Sequence, residues 1–186
     1  MKKMMMMAAM LVAVLSANAQ NEIGQITLKP MAGVNLSTIT DEKDSKMKIG
    51  LVAGAEAEYG LMEKLGVSAG LLYSMQGCKF DGDDDEEKLD YINIPILANY
   101  YVIPGLAVKA GIQPGFLMSA KDDNGKSFKD DCNTFTFSIP VGTSYEYQNF
   151  VVDARYNIGL SKINKEGSRS HKNNVFMITI GYKFSL

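Results

Sequence analysis

Seven charged side chains, Glu56, Glu58, Lys109, Glu146, Asp153, Arg155 and Lys183, each stand between two apolar or aromatic neighbours. They lie in segments that alternate with period two, where successive side chains point to opposite faces of a strand. All seven therefore leave the apolar face and share the other. Carboxylates and cations enclosed together must pair, because an isolated charge away from water is strongly unfavourable. The pattern implies a polar network that fixes strand register, with a narrow ion path or a small-ligand site as the functional alternative.

Three other groups of reactive residues invite chemistry. The run Asp81-Gly82-Asp83-Asp84-Asp85-Glu86-Glu87 offers the hard oxygen ligands that calcium takes, but its spacing is not that of an EF-hand loop. Like charges in a run repel, so it reads as a solvated acidic loop that binds divalent ions loosely alongside lipopolysaccharide. His171, in Gly167-Ser168-Arg169-Ser170-His171-Lys172, has serines beside it. A Ser/His/Asp triad is defined by geometry, and the plain reading is an exposed loop histidine. Cys78 and Cys132 are the two cysteines, a candidate disulfide if export permits oxidation and their Cα atoms come within about 7 Å. No catalytic, cofactor-binding or metal site is expected.

The elements that position these residues follow from the whole chain. Lys2 and Lys3, the apolar stretch Met4 to Leu15 and the small residues Ala17 and Ala19 form an export leader, so residues 1–19 are expected to be removed and 20–186 to form one domain. Eight alternating segments follow, at about 26–38, 47–59, 65–78, 89–102, 105–119, 134–147, 149–160 and 174–185. Connections at 60–64, 103–104 and 148 are tight, whereas those at 39–46, 79–88, 120–133 and 161–173 are long and polar. Short turns alternating with long loops mark an antiparallel barrel in an outer membrane. The expected fold is all-β, an eight-stranded antiparallel transmembrane up-and-down β-barrel, with both termini on the periplasmic side.

The rows on the opposite face support that reading. Ala32, Val34 and Leu36, then Leu51, Ala53 and Ala55, and so on to Phe176, Ile178, Ile180, Tyr182 and Phe184, carry no charge. A soluble lipocalin-like barrel would show the same alternation with its faces exchanged, so aromatic placement discriminates. Tyr59, Tyr100, Tyr145, Tyr147, Phe150, Tyr182 and Phe184 fall at one end of the outward rows, and Tyr73, Phe116, Phe135, Phe137, Tyr156 and Phe176 nearer the other. Two such belts suit the two headgroup levels of a bilayer. Pro30, Pro95, Pro114 and Pro140 interrupt the pattern, each removing a ladder donor, and bulges are expected there. Net charge is −2 with both signs interspersed, which leaves no basic footprint for nucleic acid.

The segments LDYINIPILANYYV (Leu89 to Val102), AGVNLSTI (Ala32 to Ile39), GIQPGFLMSAK (Gly111 to Lys121) and ITIGYKF (Ile178 to Phe184) together resemble the PorT-type outer-membrane β-barrel family of Bacteroidetes. The resemblance implies a small outer-membrane barrel, and the namesake member is linked to secretion of cell-surface proteases. It carries no catalytic motif to this chain. Three function classes stand: a structural or interaction barrel acting through extracellular loops, an accessory protein of a secretion system, and a small-ligand binder or transporter. Expected partners are outer-membrane lipid and lipopolysaccharide, the barrel-assembly machinery through the C-terminal strand, and secretion-system or surface partners. A monomer is expected.

Overall fold

The computed structural model describes residues 23–39, 45–80, 86–122, 125–127, 129, 132–161 and 173–186. The expected leader, the acidic run over 81–85 and the loop bearing His171 lie outside the described residues. Among the described residues the chain forms strands β1 (Ile26–Ile39), β2 (Ser45–Met62), β3 (Leu65–Phe80), β4 (Glu86–Asn93), β5 (Ile96–Ile103), β6 (Leu106–Lys121), β7 (Phe135–Tyr147), β8 (Phe150–Gly159), β9 (Asn173–Tyr182) and β10 (Phe184–Ser185). All pair antiparallel in one sheet that closes when β1 meets β9, from Met31 opposite Gly181 to Ile39 opposite Asn173. β4 and β5 together make one wall strand, as do β9 and β10, so the closed barrel has eight. No helix of the described residues is long and apolar enough to cross a membrane.

The period-two pattern sets which side chains fill the barrel. Arg155 and Asp153 are each 1% exposed, whereas Leu51 is 62% and Ile180 61% exposed on the outside. This inverts the soluble arrangement: apolar rows face outward and polar ones fill the lumen. Aromatic rings gather at the two ends of the outer surface. Phe116 and Phe135 meet edge to face at 5.6 Å near the loop end, and Phe150 and Tyr182 at 5.2 Å near the turn end. At the turn end Pro104-Gly105 joins β5 to β6, with Gly105 at φ 81°, a left-handed conformation that glycine adopts without steric cost.

The prolines are not accommodated by bulges. Register shifts lie between Met47 and Val52, Gly60 and Met62, Asp90 and Tyr91, and Tyr101 and Ile103. At Pro95 the strand itself is interrupted, while the Pro95 carbonyl still accepts from Gly70 N at 3.0 Å and Ile94 N donates to Pro114 O at 2.9 Å. Between β6 and β7 the ladder steps from Ala110–Val141 to Gln113–Ser138, passing over Pro140. Lys29 and Pro30 fall in the gap between the two ladders that close the barrel, which run as far as Met31–Gly181 and resume at Leu28–Phe184, while on the other side of that strand the Lys183 N–H donates to Asn149 O at 2.7 Å. A missing donor needs only an alternative partner for the facing carbonyl, and a short gap supplies it without an extra residue.

Candidate functional site

The lumen is layered along the barrel axis. Nearest the turns, the Tyr101 hydroxyl donates to Glu58 Oε1 at 2.7 Å. Lys183 Nζ donates to Glu146 Oε2 at 2.7 Å and to Tyr101 Oη at 3.4 Å, and lies 5.6 Å from the centre of the Tyr101 ring. The interruption between β9 and β10 falls on Lys183, which Asn149 holds with its side-chain amide on Lys183 O at 2.9 Å.

One layer deeper, Arg155 of β8 organises five charges. Its Nε donates to Asp153 Oδ1 at 2.6 Å and its Nη2 to Asp153 Oδ2 at 2.8 Å. The same Nη2 reaches Glu56 Oε2 at 2.8 Å, and Nη1 bonds Glu56 Oε1, so the guanidinium clamps a carboxylate of β2 across the lumen. Lys109 Nζ sits 2.7 Å from Asp153 Oδ2, and Lys29 Nζ 3.0 Å from Glu56 Oε2 and 3.7 Å from Asp153 Oδ2. Forked N–H donors matched to carboxylates are among the strongest ionic hydrogen bonds. The four cations Lys29, Lys109, Arg155 and Lys183 of these two layers balance the four anions Glu56, Glu58, Glu146 and Asp153.

Glycines make room for the long stems. A Cβ on Gly70 would come within 2.5 Å of Glu56 Cγ and 2.8 Å of Ala55 O; one on Gly142 would come within 3.0 Å of Arg155 Cγ, and one on Gly181 within 2.9 Å of Lys29 Cγ. Gly70→Ala therefore has to displace both the Glu56 stem and the β2 backbone. A loss of about 1–3 kcal/mol is expected, the usual range for overpacking. Urea titration of the refolded barrel, read by its heat-modifiable gel mobility, checks this.

Thus Glu56, Lys109, Asp153 and Arg155 come together in one cluster, and Glu58, Glu146 and Lys183 in a second. Two members went unanticipated. Lys29 lies on the inward row of β1 with Thr27, Met31 and Asn35, and extending that row back past Pro30 would have found it. Tyr101 sits in the inward sequence Leu97, Asn99, Tyr101, where an amphipathic ring gives no charge signal. Cys132 is buried with Leu89, Tyr91, Leu117 and Ala120 in an apolar cap at the loop end. The Cys78 side chain lies outside the described residues, with its backbone opposite Met47 and Glu87.

Above the charges, Met31, Val52, Leu72 and Met177 form an apolar layer. Beyond it the lumen is lined by neutral hydrogen-bonding groups, including Gln76, Asn93, Gln113, Ser138, Asn157 and Asn173. Among the described residues, one small space lies beside the charges and a second among the neutral groups, each with room for no more than a few waters. Neither space has room for a hydrated solute.

A family model described as "Outer membrane protein beta-barrel domain" matches residues 18–165. The chain belongs to this outer-membrane barrel family. Its fold is similar to that of Ail, the attachment invasion locus protein of Yersinia pestis, at 18% identity and TM-score 0.54, covering 88% of this chain and 100% of the other. It is also similar to Neisserial surface protein A, at 15% identity and TM-score 0.56, covering 86% of this chain and 97% of the other. No curated protein matches in sequence. For a barrel of this family the exposed apolar rows face lipid, and the aromatic clusters lie at the two rims of that surface.

Proposed function

We propose that this small outer-membrane barrel has a structural and interaction role rather than a conducting or catalytic one, with its long connections on the extracellular side as the contact surface. The observation that carries this reading is the Arg155–Glu56–Asp153 cluster with Lys29 and Lys109, which fills the lumen cross-section with paired side chains. An eight-stranded barrel is just wide enough to be filled by its own side chains. The four long connections share one end, and lipopolysaccharide and surface molecules are the partners within their reach. At the other end Leu186 N donates to Ile26 O at 3.0 Å, and the aromatic strand Phe176 to Phe184 supplies the pattern through which the barrel-assembly machinery would recognise the chain. The protein works as a monomer.

Refolded mature protein in planar bilayers is expected to give no porin-sized conductance steps, while migrating as a heat-modifiable band from the outer-membrane fraction. Large stable steps would overturn the plugged-lumen reading. A role as an accessory of protein secretion is favoured by one observation, the PorT-like segment Leu89 to Val102. Loss of surface-exported proteases on deletion of the gene, restored by the intact gene, would select it.

A further inference from the structure

Two of the tight turns are built alike. Glu63-Lys64 joins β2 to β3 and Pro104-Gly105 joins β5 to β6, each closed by an apolar pair, Met62 opposite Leu65 and Ile103 opposite Leu106. Just before each closing pair the incoming strand carries an extra residue. Gly60 pairs with Gly66 and then Met62 with Leu65, which passes over Leu61; Tyr101 pairs with Ala107 and then Ile103 with Leu106, which passes over Val102. A bulge re-aims the side chains that follow it. In an unbroken strand Met62 and Ile103 would share the inward face of Gly60 and Tyr101. Instead they share the face of Leu65 and Leu106, in line with the outward Val67 and Val108. Leu61, Met62, Val102 and Ile103 are accordingly 42% to 62% exposed. The turn Gln148-Asn149 between β7 and β8 has no such shift and is closed by aromatic residues, Tyr147 opposite Phe150.

The two bulged turns stand side by side. β3 pairs with β5, Leu65 opposite Tyr100, and Tyr101 N donates to Lys64 O at 2.8 Å. Their four aliphatic side chains therefore form one collar, which continues into the uncharged outer wall through Tyr59 and Ala57 on β2 and Tyr100 and Ala98 on β5. We propose that this collar is a lipid-binding surface that sets both turns into the leaflet at the turn end, where acyl chains meet headgroups. A contiguous exposed apolar patch marks a contact surface rather than a face left to water. The direction of the side chains says which contact. A protein partner approaching along the barrel axis meets the turn tips, Glu63, Lys64, Pro104 and Gly105. Side chains turned sideways, in line with the lipid-facing rows, meet what surrounds the wall. Aliphatic groups bury their surface at the boundary between acyl chains and headgroups. Tyr59 and Tyr100 stand one row further from the turns, and such side chains keep the ring in apolar surroundings while the hydroxyl reaches for water. The barrel is thereby seated deeper at these two turns than at Gln148-Asn149, where an aromatic rim ends the apolar surface.

The chain contains no tryptophan, so an introduced indole reports only on its own site. Met62→Trp and Ile103→Trp are each refolded into phospholipid vesicles, with heat-modifiable mobility as the check on folding. Both are expected to lose more emission to phospholipids brominated near the headgroup end of the acyl chain than to those brominated near its methyl end, and to emit to the blue of Glu63→Trp. Leu51→Trp, in the middle of β2, should show the reverse depth order. The two collar positions are independent, so a variant that does not refold leaves the other to decide. Emission at both that ignores brominated lipid, as at Glu63→Trp, overturns the proposal; if Leu51→Trp ignores it as well, the lipid-facing assignment of the whole wall falls with it. Quenching that appears only when the protein is diluted in lipid would mean that a second copy covers the collar, and equally overturns the proposal.

Discussion

Arg155→Met is expected to remove about 3–5 kcal/mol of stability, the range seen when one partner of a buried ionic cluster is deleted. Methionine matches the stem in length, so packing changes little and the loss comes from charge. Glu56 and Asp153 would keep Lys29 and Lys109 but lose the guanidinium that bonds both carboxylates. Arg155→Lys should rescue only part of the loss, because a single ammonium cannot reproduce the forked geometry. The double change Arg155→Met with Glu56→Gln removes one charge of each sign and should be less destabilised than the sum of the two single changes by about 0.5–3 kcal/mol. Urea unfolding of the four proteins in lipid vesicles completes the cycle. A loss under about 1 kcal/mol for Arg155→Met would mean that the cluster is solvated and worth no more than a surface ion pair.

Leu51→Arg is expected to cost about 2–4 kcal/mol in a bilayer, because it projects from the middle of β2 into hydrocarbon. Leu51 is paired with Val34, and Val34 with Ile178, so its surroundings are an uncharged apolar row. A water-soluble barrel would barely respond: surface substitutions at a 62% exposed position usually stay within about 0.5 kcal/mol. The cost should fall with depth. Phe150→Arg, at the turn end beside Tyr182, is expected to lose about 0–1 kcal/mol, since the guanidinium reaches the headgroups there. Equal effects at positions 51 and 150 would contradict a lipid-facing surface.

Period two is a local property, and what depends on it was legible in the residues. The outward rows from Ala32 to Phe184 and the inward placement of Glu56, Asp153 and Arg155 need no more than alternate spacing within single strands. Partner choice across the lumen is not local. Arg155 and Glu56 lie 99 residues apart, and nothing near either one says that they meet. Lys29 was obscured because the bulge expected at Pro30 beside it would change the face on which the residues before it stand. The strand breaks at Ile94–Pro95 and Lys183 were hidden for another reason. A proline announces a missing donor but not whether a bulge, a gap or a turned strand will absorb it; that depends on the neighbouring strand's carbonyls.

The pairing of β1 with β9 and β10 has a consequence for the order of assembly. Consecutive wall strands are neighbours throughout, so each can pair as soon as its successor is in place, whereas the closing contact joins the two ends of the barrel's chain. Until the segment from Asn173 to Ser185 docks, β1 and β8 each present an edge of unpaired amides and carbonyls, every one costing several kcal/mol in hydrocarbon. Insertion is therefore all or none in its final strand. A chain that stops short of it is left with two open edges whose backbone groups have no partner in hydrocarbon.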